Sequence, residues 1–304
     1  MTKVFHPKLK KIEDVAVLSV ASFHKSFKES ALLDFLQNPS FIKFPESITN
    51  YDGFSCDDLL RQKALINCFD KPRFVIASRG GYGSIRSLIN CHFSKDLEGV
   101  LTGFSDLTVL INYLSKNTKI ACFHGPMFSY PNKWKKSSYL EKSFQSFFCS
   151  DNFNYEDSFE GKFICGNLIE GKLYGGNLSV ICSMIGTPFE LDLDGIVLFL
   201  EEINEPTYNI DRMLTQLSLQ KNFKKLKGLV FGQFTNCVSR PKDCGDLEIF
   251  PMVKSFVKEW NIPAVWGAPI GHIEDFMVMP ISGESLWKQE KNKVSVRLGY
   301  PTNI

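Results

Sequence analysis

The chain has little histidine and no clustered cysteine. Its five histidines, His6, His24, His92, His124 and His272, form no H-E-x-x-H or other short ligand spacing, so no metal site is expected from them. The nine cysteines are odd in number, scattered and without a C-x-x-C pair, which fits reduced thiols in a cytoplasm better than a disulfide framework. The basic N-terminus lacks the apolar core and small-residue cleavage site of a secretory signal. No repeat, low-complexity segment or G-x-G-x-x-G nucleotide fingerprint is present. Charge is nearly balanced, at 35 basic and 33 acidic residues with a net charge of +2. That balance gives no reason to expect nucleic acid or an anionic membrane as a partner. A mean hydropathy of -0.08 argues against both disorder and a membrane protein. The expectation is a soluble, cytoplasmic protein.

What is present is a long series of apolar runs separated by helical periodicity. Val15–Ala21, Phe74–Ala77, 99–104 and 119–124 are near-continuous apolar stretches of strand length, as in parallel strands covered on both faces. Between them, apolar residues recur at three and four over 28–38, 57–70, 85–89 and 107–114, which predicts helices. This alternation predicts an α/β fold whose N-terminal domain is an open, flavodoxin-like parallel sheet. At 304 residues a second domain is expected. The polar stretch near 151–165 reads as a linker, giving an N-terminal domain over 1–150 and a smaller α/β domain over 166–304. In the latter, 195–200, 229–234 and 263–266 read as strands, 208–223 and 246–260 as helices, and 276–281 with 294–298 as a closing pair of strands.

Ser105 stands where the run Gly99-Val-Leu-Thr-Gly-Phe104 meets a helix. A serine at the tip of a strand-to-helix turn stands clear of the sheet, and the N–H groups opening the helix face any anion formed beside it. Ser105 and Asp106 are equally acceptable as helix caps. The loop Ser78-Arg-Gly-Gly-Tyr-Gly-Ser84 follows another strand, and its glycines let a ligand approach main-chain N–H groups. In a parallel sheet this loop, the Ser105 turn and His124-Gly-Pro126 share the carboxyl edge. His124 there suits either a buried core position or substrate contact. Further on, Glu201 and Glu202 end the strand 195–200, and His272 follows a strand within a Gly-His turn. Asp192-Leu-Asp-Gly195 lacks the rest of a calcium loop and reads as a turn.

Together these motifs resemble the LD-carboxypeptidase family of serine peptidases. They run, in order, Arg79-Gly-Gly-Tyr-Gly83, Gly103-Phe-Ser-Asp-Leu-Thr108, His124-Gly-Pro126, Gly175-Gly-Asn-Leu178, Leu200-Glu-Glu-Ile-Asn-Glu-Pro206, Asp211-Arg-Met-Leu214, and Gly271-His272 with Pro280-Ile281. The resemblance implies a cytoplasmic enzyme with its active site between two domains and a small peptide as substrate, and a homodimer is expected on general grounds, since symmetric dimers are the commonest oligomers. It implies Ser105 as nucleophile, His272 as base and Glu201 as the carboxylate behind it, with the N–H groups of Gly81 and Asp106 as oxyanion hole, a set of groups that needs no cofactor or metal. Arg79, Gly80, His124 and Arg212 are the candidate substrate contacts. The implied reaction is hydrolysis of the L,D-amide before a terminal D-alanine in murein tetrapeptides. The alternatives are a microcin C immunity-type peptidase acting on peptidyl nucleotides and a non-catalytic α/β ligand-binding protein. The chain departs from many relatives at Leu18-Ser-Val-Ala-Ser-Phe23, where they place Pro-Ser after the strand.

Overall fold

In the computed structural model, residues 14–23, 40–46, 50–71, 73–128, 138–150, 153–239 and 247–300 are described. They fall into two compact units. The first comprises 1–153, 277–282 and 300–304, and the second 154–276 and 283–299. The helix expected over 28–38 lies outside the described residues.

The first unit is built on β1 (Asp14–Leu18), β2 (Ser40–Phe44), β3 (Phe74–Ala77), β4 (Glu98–Gly103) and β5 (Lys119–His124). All four neighbouring pairs run parallel, in the order β2-β1-β3-β4-β5. This is the flavodoxin order, whose crevice opens at the carboxyl ends of β1 and β3 where the winding direction reverses. Val15–Leu18, Phe74–Ala77, Val100, Leu101 and 120–123 are all buried, which explains why these strands read as unbroken apolar runs. The helices are α1 (Asp58–Asn67), α2 (Ser84–Leu88), α3 (Thr108–Asn117) and α4 (Tyr139–Phe144). The Asp57 carboxylate caps α1 by accepting from Leu60 N. α4 continues as a π-helical turn over Gln145–Cys149, which turns Phe147 and Phe148 into the core beside Phe144.

The second unit holds β6 (Asn154–Phe159), β7 (Lys162–Cys165), β8 (Leu168–Asn177), β9 (Val197–Ile203), β10 (Gly228–Thr235) and β11 (Ala264–Trp266). A tenuous strand, β12 (Met279–Pro280), returns to the first unit and pairs antiparallel with β5. The chain then re-enters the second unit as the hairpin β13 (Glu284–Glu290) and β14 (Lys293–Gly299). The resulting eight-stranded sheet has the order β6-β14-β13-β8-β9-β10-β11-β7, with β8 to β11 parallel. Helices α5 (Leu178–Ser183), α6 (Thr207–Ser218) and α7 (Ile249–Trp260) pack on it through Leu178, Ile210, Leu214, Leu217, Val253 and Val257.

Two expectations need correction. Residues 154–165 are not a linker, because they form β6 and β7 and belong to the second unit. Nor is the closing pair of strands formed by 276–281 with 294–298, because Met279–Pro280 pairs with β5 while β14 pairs with β13 and β6.

An aromatic cluster anchors the first unit. Phe148 sits 5.1 Å from Phe74, 4.7 Å from Phe123 and 4.7 Å from Phe144 between ring centroids, all with edge-type packing. All four rings are fully buried. Phe148→Ala is expected to lower unfolding free energy by about 3–5 kcal/mol, read by denaturant titration of near-ultraviolet circular dichroism.

Candidate active site

β4 ends at Gly103, and the chain turns through Phe104 into a short 3-10 segment, Ser105–Leu107, that runs on into α3. Ser105 has φ +63°, a left-handed conformation that costs a non-glycine residue about 1 kcal/mol or more. It caps neither helical segment, since no side-chain cap bond is made at the start of either. What holds it is the following turn, with Thr108 Oγ1 donating to Ser105 O at 2.7 Å, and the glycine loop. A Cβ at Gly80 would stand 3.1 Å from Ser105 Cβ and 3.3 Å from its Oγ, so the loop backbone lies directly against the serine.

Asp106 is nearly buried and turns its carboxylate to α2, accepting from Ser84 N at 2.8 Å. Ser84 Oγ donates back to Asp106 O at 2.5 Å. Burial pushes the Asp106 carboxyl above its ordinary value, against the opposing pull of hydrogen bonds from Ser84 and the Gly83 backbone. Asp106 thereby caps the neighbouring helix, which couples the serine turn to the glycine loop. Ser22, from the segment after β1, accepts from Tyr82 N at 3.0 Å and so binds the same loop from its other side.

In the second unit, Glu201 and Glu202 lie inside β9, not beyond its end. Successive residues of a strand face opposite ways, so the two carboxylates have separate surroundings. Glu201, with no exposure, places Oε2 2.7 Å from Nδ1 of His272, whose side chain is 10% exposed. An Nδ1–H donated to Glu201 leaves Nε2 as the proton acceptor of the ring. Glu202 is spent elsewhere: it accepts from Asn177 Nδ2, Ser179 N and its neighbour Ile203 N, each at 2.8 Å, at the start of α5. Burial pushes the Glu202 carboxyl up despite those donors. Thr235 Oγ1 donates to His272 O at 3.0 Å, fixing the loop after β11 to β10. Gly271, at φ +115°, lets this loop lie on the carboxylate, because a Cβ there would stand 2.8 Å from Glu201 Oε2 and 2.9 Å from its Cβ.

The other expected contacts divide. Arg79 is exposed, with Nη1 donating to Phe23 O at 3.1 Å. Arg212 is also exposed, on α6, with its guanidinium 5.5 Å from the Tyr208 ring. His124 is fully buried, its ring 5.4 Å from that of Phe104, a core position that offers no surface to a substrate in this conformation. Sequence reasoning did not single out Ser22, Ser84 or Thr235 as supports. Each is a common polar residue whose partner lies far away in sequence. Among the described residues, no group of three or more His, Cys, Asp or Glu is arranged to hold a metal, and no helix is long and apolar enough to cross a membrane.

Comparison with known proteins follows the same division. The family model for the LD-carboxypeptidase N-terminal domain matches residues 15–125, and that for the LD-carboxypeptidase C-terminal domain matches 170–285. The chain belongs to the LD-carboxypeptidase family. Membership makes it a serine-type peptidase, a hydrolase. A relative from Bacillus subtilis (strain 168), named "Probable murein peptide carboxypeptidase", is 30% identical over 305 residues, covering 97% of this chain and 95% of its own. The crystal structure of muramoyltetrapeptide carboxypeptidase from Oxalobacter formigenes has a TM-score of 0.83 at 27% identity, covering 95% of this chain and 100% of its own. The microcin C7 self-immunity protein MccF shares the fold at a TM-score of 0.82, over 99% of this chain and 100% of its own, but only 16% identity.

Gly271→Ala is expected to push the His272 loop off Glu201; if this pair acts in the peptidase reaction, a displacement of about 1 Å lowers kcat/KM about 100-fold. Circular dichroism of the variant should match that of the parent. Activity within twofold of the parent would show that the His272 loop does not depend on this contact.

Proposed function

We propose that this protein is a serine carboxypeptidase that hydrolyses the L,D-amide bond preceding a terminal D-alanine in murein tetrapeptides, through an acyl-enzyme on Ser105. The observation that carries the reading is the 2.7 Å contact between Glu201 and His272 Nδ1, made in a chain that matches, over 97% of its length, a relative named "Probable murein peptide carboxypeptidase". A buried carboxylate on Nδ1 is what a general base needs, since it fixes the tautomer and stabilises the imidazolium that forms.

In this mechanism His272 Nε2 takes the Ser105 hydroxyl proton as Oγ attacks the scissile carbonyl. The tetrahedral oxyanion is bound by the N–H groups of Gly81 and Asp106, where each donor is worth about 3 kcal/mol. The imidazolium then protonates the departing amine, D-alanine leaves, and a water activated by His272 hydrolyses the ester to restore Ser105. Nucleophile, base and orienting carboxylate are all side chains, so the reaction requires no metal or cofactor. A terminal carboxylate on the substrate calls for a cation, and the exposed guanidiniums of Arg79 and Arg212 are the proposed partners, with Gly80 shaping the floor beside Ser105. The reading also carries a cytoplasmic location, supported by the eight free cysteines among the described residues, and a homodimer, which sedimentation would test.

The test is D-alanine release from a purified murein tetrapeptide, with a peptidyl-adenylate analogue in parallel. Release from the tetrapeptide, lost by about 10⁶-fold in Ser105→Ala and in His272→Ala, is the expected result. Preference for the nucleotide analogue would assign the immunity-type substrate, and hydrolysis of neither, together with no reaction of Ser105 with an active-site serine probe, would leave a ligand-binding protein. Full activity in Ser105→Ala would contradict the nucleophile.

A further inference from the structure

Arg61 is a guanidinium with no exposed surface, carried on α1. Removing such a cation from water costs several kcal/mol unless its donors are well matched, so the groups it meets identify what it is for. Nη1 donates to Gly83 O at 2.9 Å and to Val20 O at 3.0 Å. Nη2 pairs with Asp58, whose other oxygen takes Arg86 Nη2 at 2.7 Å and Nε at 3.0 Å. The Phe54 ring lies against the guanidinium, its centroid 4.5 Å from Cζ.

The two carbonyls belong to the segments leaving β1 and β3, the strands between which the sheet changes winding direction. Those segments part at this crevice, and Arg61 ties them together from behind. From Gly83 the connection to the nucleophile is short. Ser84, the residue after Gly83, gives its N–H to the Asp106 carboxylate at 2.8 Å, Asp106 follows Ser105 in the chain, and Gly80 at the other end of the loop lies against Ser105. Ser22 and Ser87 reinforce the same junction, through Tyr82 N at 3.0 Å and Val20 O at 2.7 Å.

We propose that Arg61 is a positioning residue of the reaction, holding the Gly80–Gly83 loop at the distance from Ser105 that oxyanion binding demands while touching no substrate itself. The inference rests on the serine-peptidase reading given above. A group that sets oxyanion geometry acts on the transition state, so its loss lowers kcat and leaves KM nearly unchanged. A core residue that serves only stability lowers the folded fraction and leaves the kcat of folded molecules alone.

The experiment measures kcat and KM for D-alanine release in Arg61→Lys and Asp58→Asn, beside the parent and Ser105→Ala, with folded fraction taken from circular dichroism. Lysine keeps the charge but cannot span both carbonyls, while Asp58→Asn removes the counter-charge at a half-exposed position and spares the core. Expected are a kcat loss of about 100-fold for Arg61→Lys and about 10-fold for Asp58→Asn, with KM within about threefold of the parent. If Arg61→Lys does not fold, Asp58→Asn decides. A kcat within threefold of the parent in whichever variant folds overturns the proposal. If the parent releases no D-alanine but a fluorophosphonate labels Ser105, the substrate reading has failed, and the labelling rate replaces kcat in the same comparison. A parent that does neither overturns the peptidase reading and this inference with it.

Discussion

Ser105 rests at φ +63°, a left-handed conformation that costs about 1 kcal/mol or more and that its surroundings must hold in place. Much of the first unit can be understood as the means of keeping Ser105 there. The parallel strands bring three loops to one edge, and the aromatic packing around Phe148 ties β3 to β5 beneath them. Asp106 spends its carboxylate on the start of α2, and Gly80 presses its backbone against the serine side chain. A strained residue held by a stiff scaffold loses little entropy when it reacts, which is why such strain gathers at reactive positions.

The second unit meets a different requirement, that of keeping a carboxylate and an imidazole together out of water. Glu201 is set inside a strand, fully buried, where its side chain has little freedom. His272 arrives on a loop that only glycine at 271 allows to lie so close, and Thr235 fastens that loop to the neighbouring strand. In the proposed chemistry this pair supplies the base and the carboxylate behind it.

Much of this was legible in the sequence, for reasons that are local. Val15–Leu18 and Phe74–Ala77 are buried on both faces and so read as unbroken apolar runs. The Ser105 turn announces itself because a strand, a small residue and a helix follow one another without a gap. The misread stretch, 154–165, is an edge-strand problem. In Asn154–Phe159 only Tyr155 and Phe159 are well buried among charged and polar neighbours, and this thin alternation resembles a polar linker. The choice of Glu201 over Glu202 could not be made by spacing, because both end the same apolar run and only the opposite facing of their side chains separates them. Arg61 was invisible for a related reason. Its partners are main-chain carbonyls of Val20 and Gly83, far from it in sequence and carrying no side-chain signature.

The claim on which the account turns is that Ser105 is the nucleophile activated by His272. The most direct measurement is covalent labelling of the native protein with a fluorophosphonate, followed by mapping of the adduct by mass spectrometry. The account predicts one adduct per chain, on Ser105, suppressed by a murein tetrapeptide and absent from His272→Ala. An adduct on a different serine, or D-alanine release that survives full modification of Ser105, would contradict it.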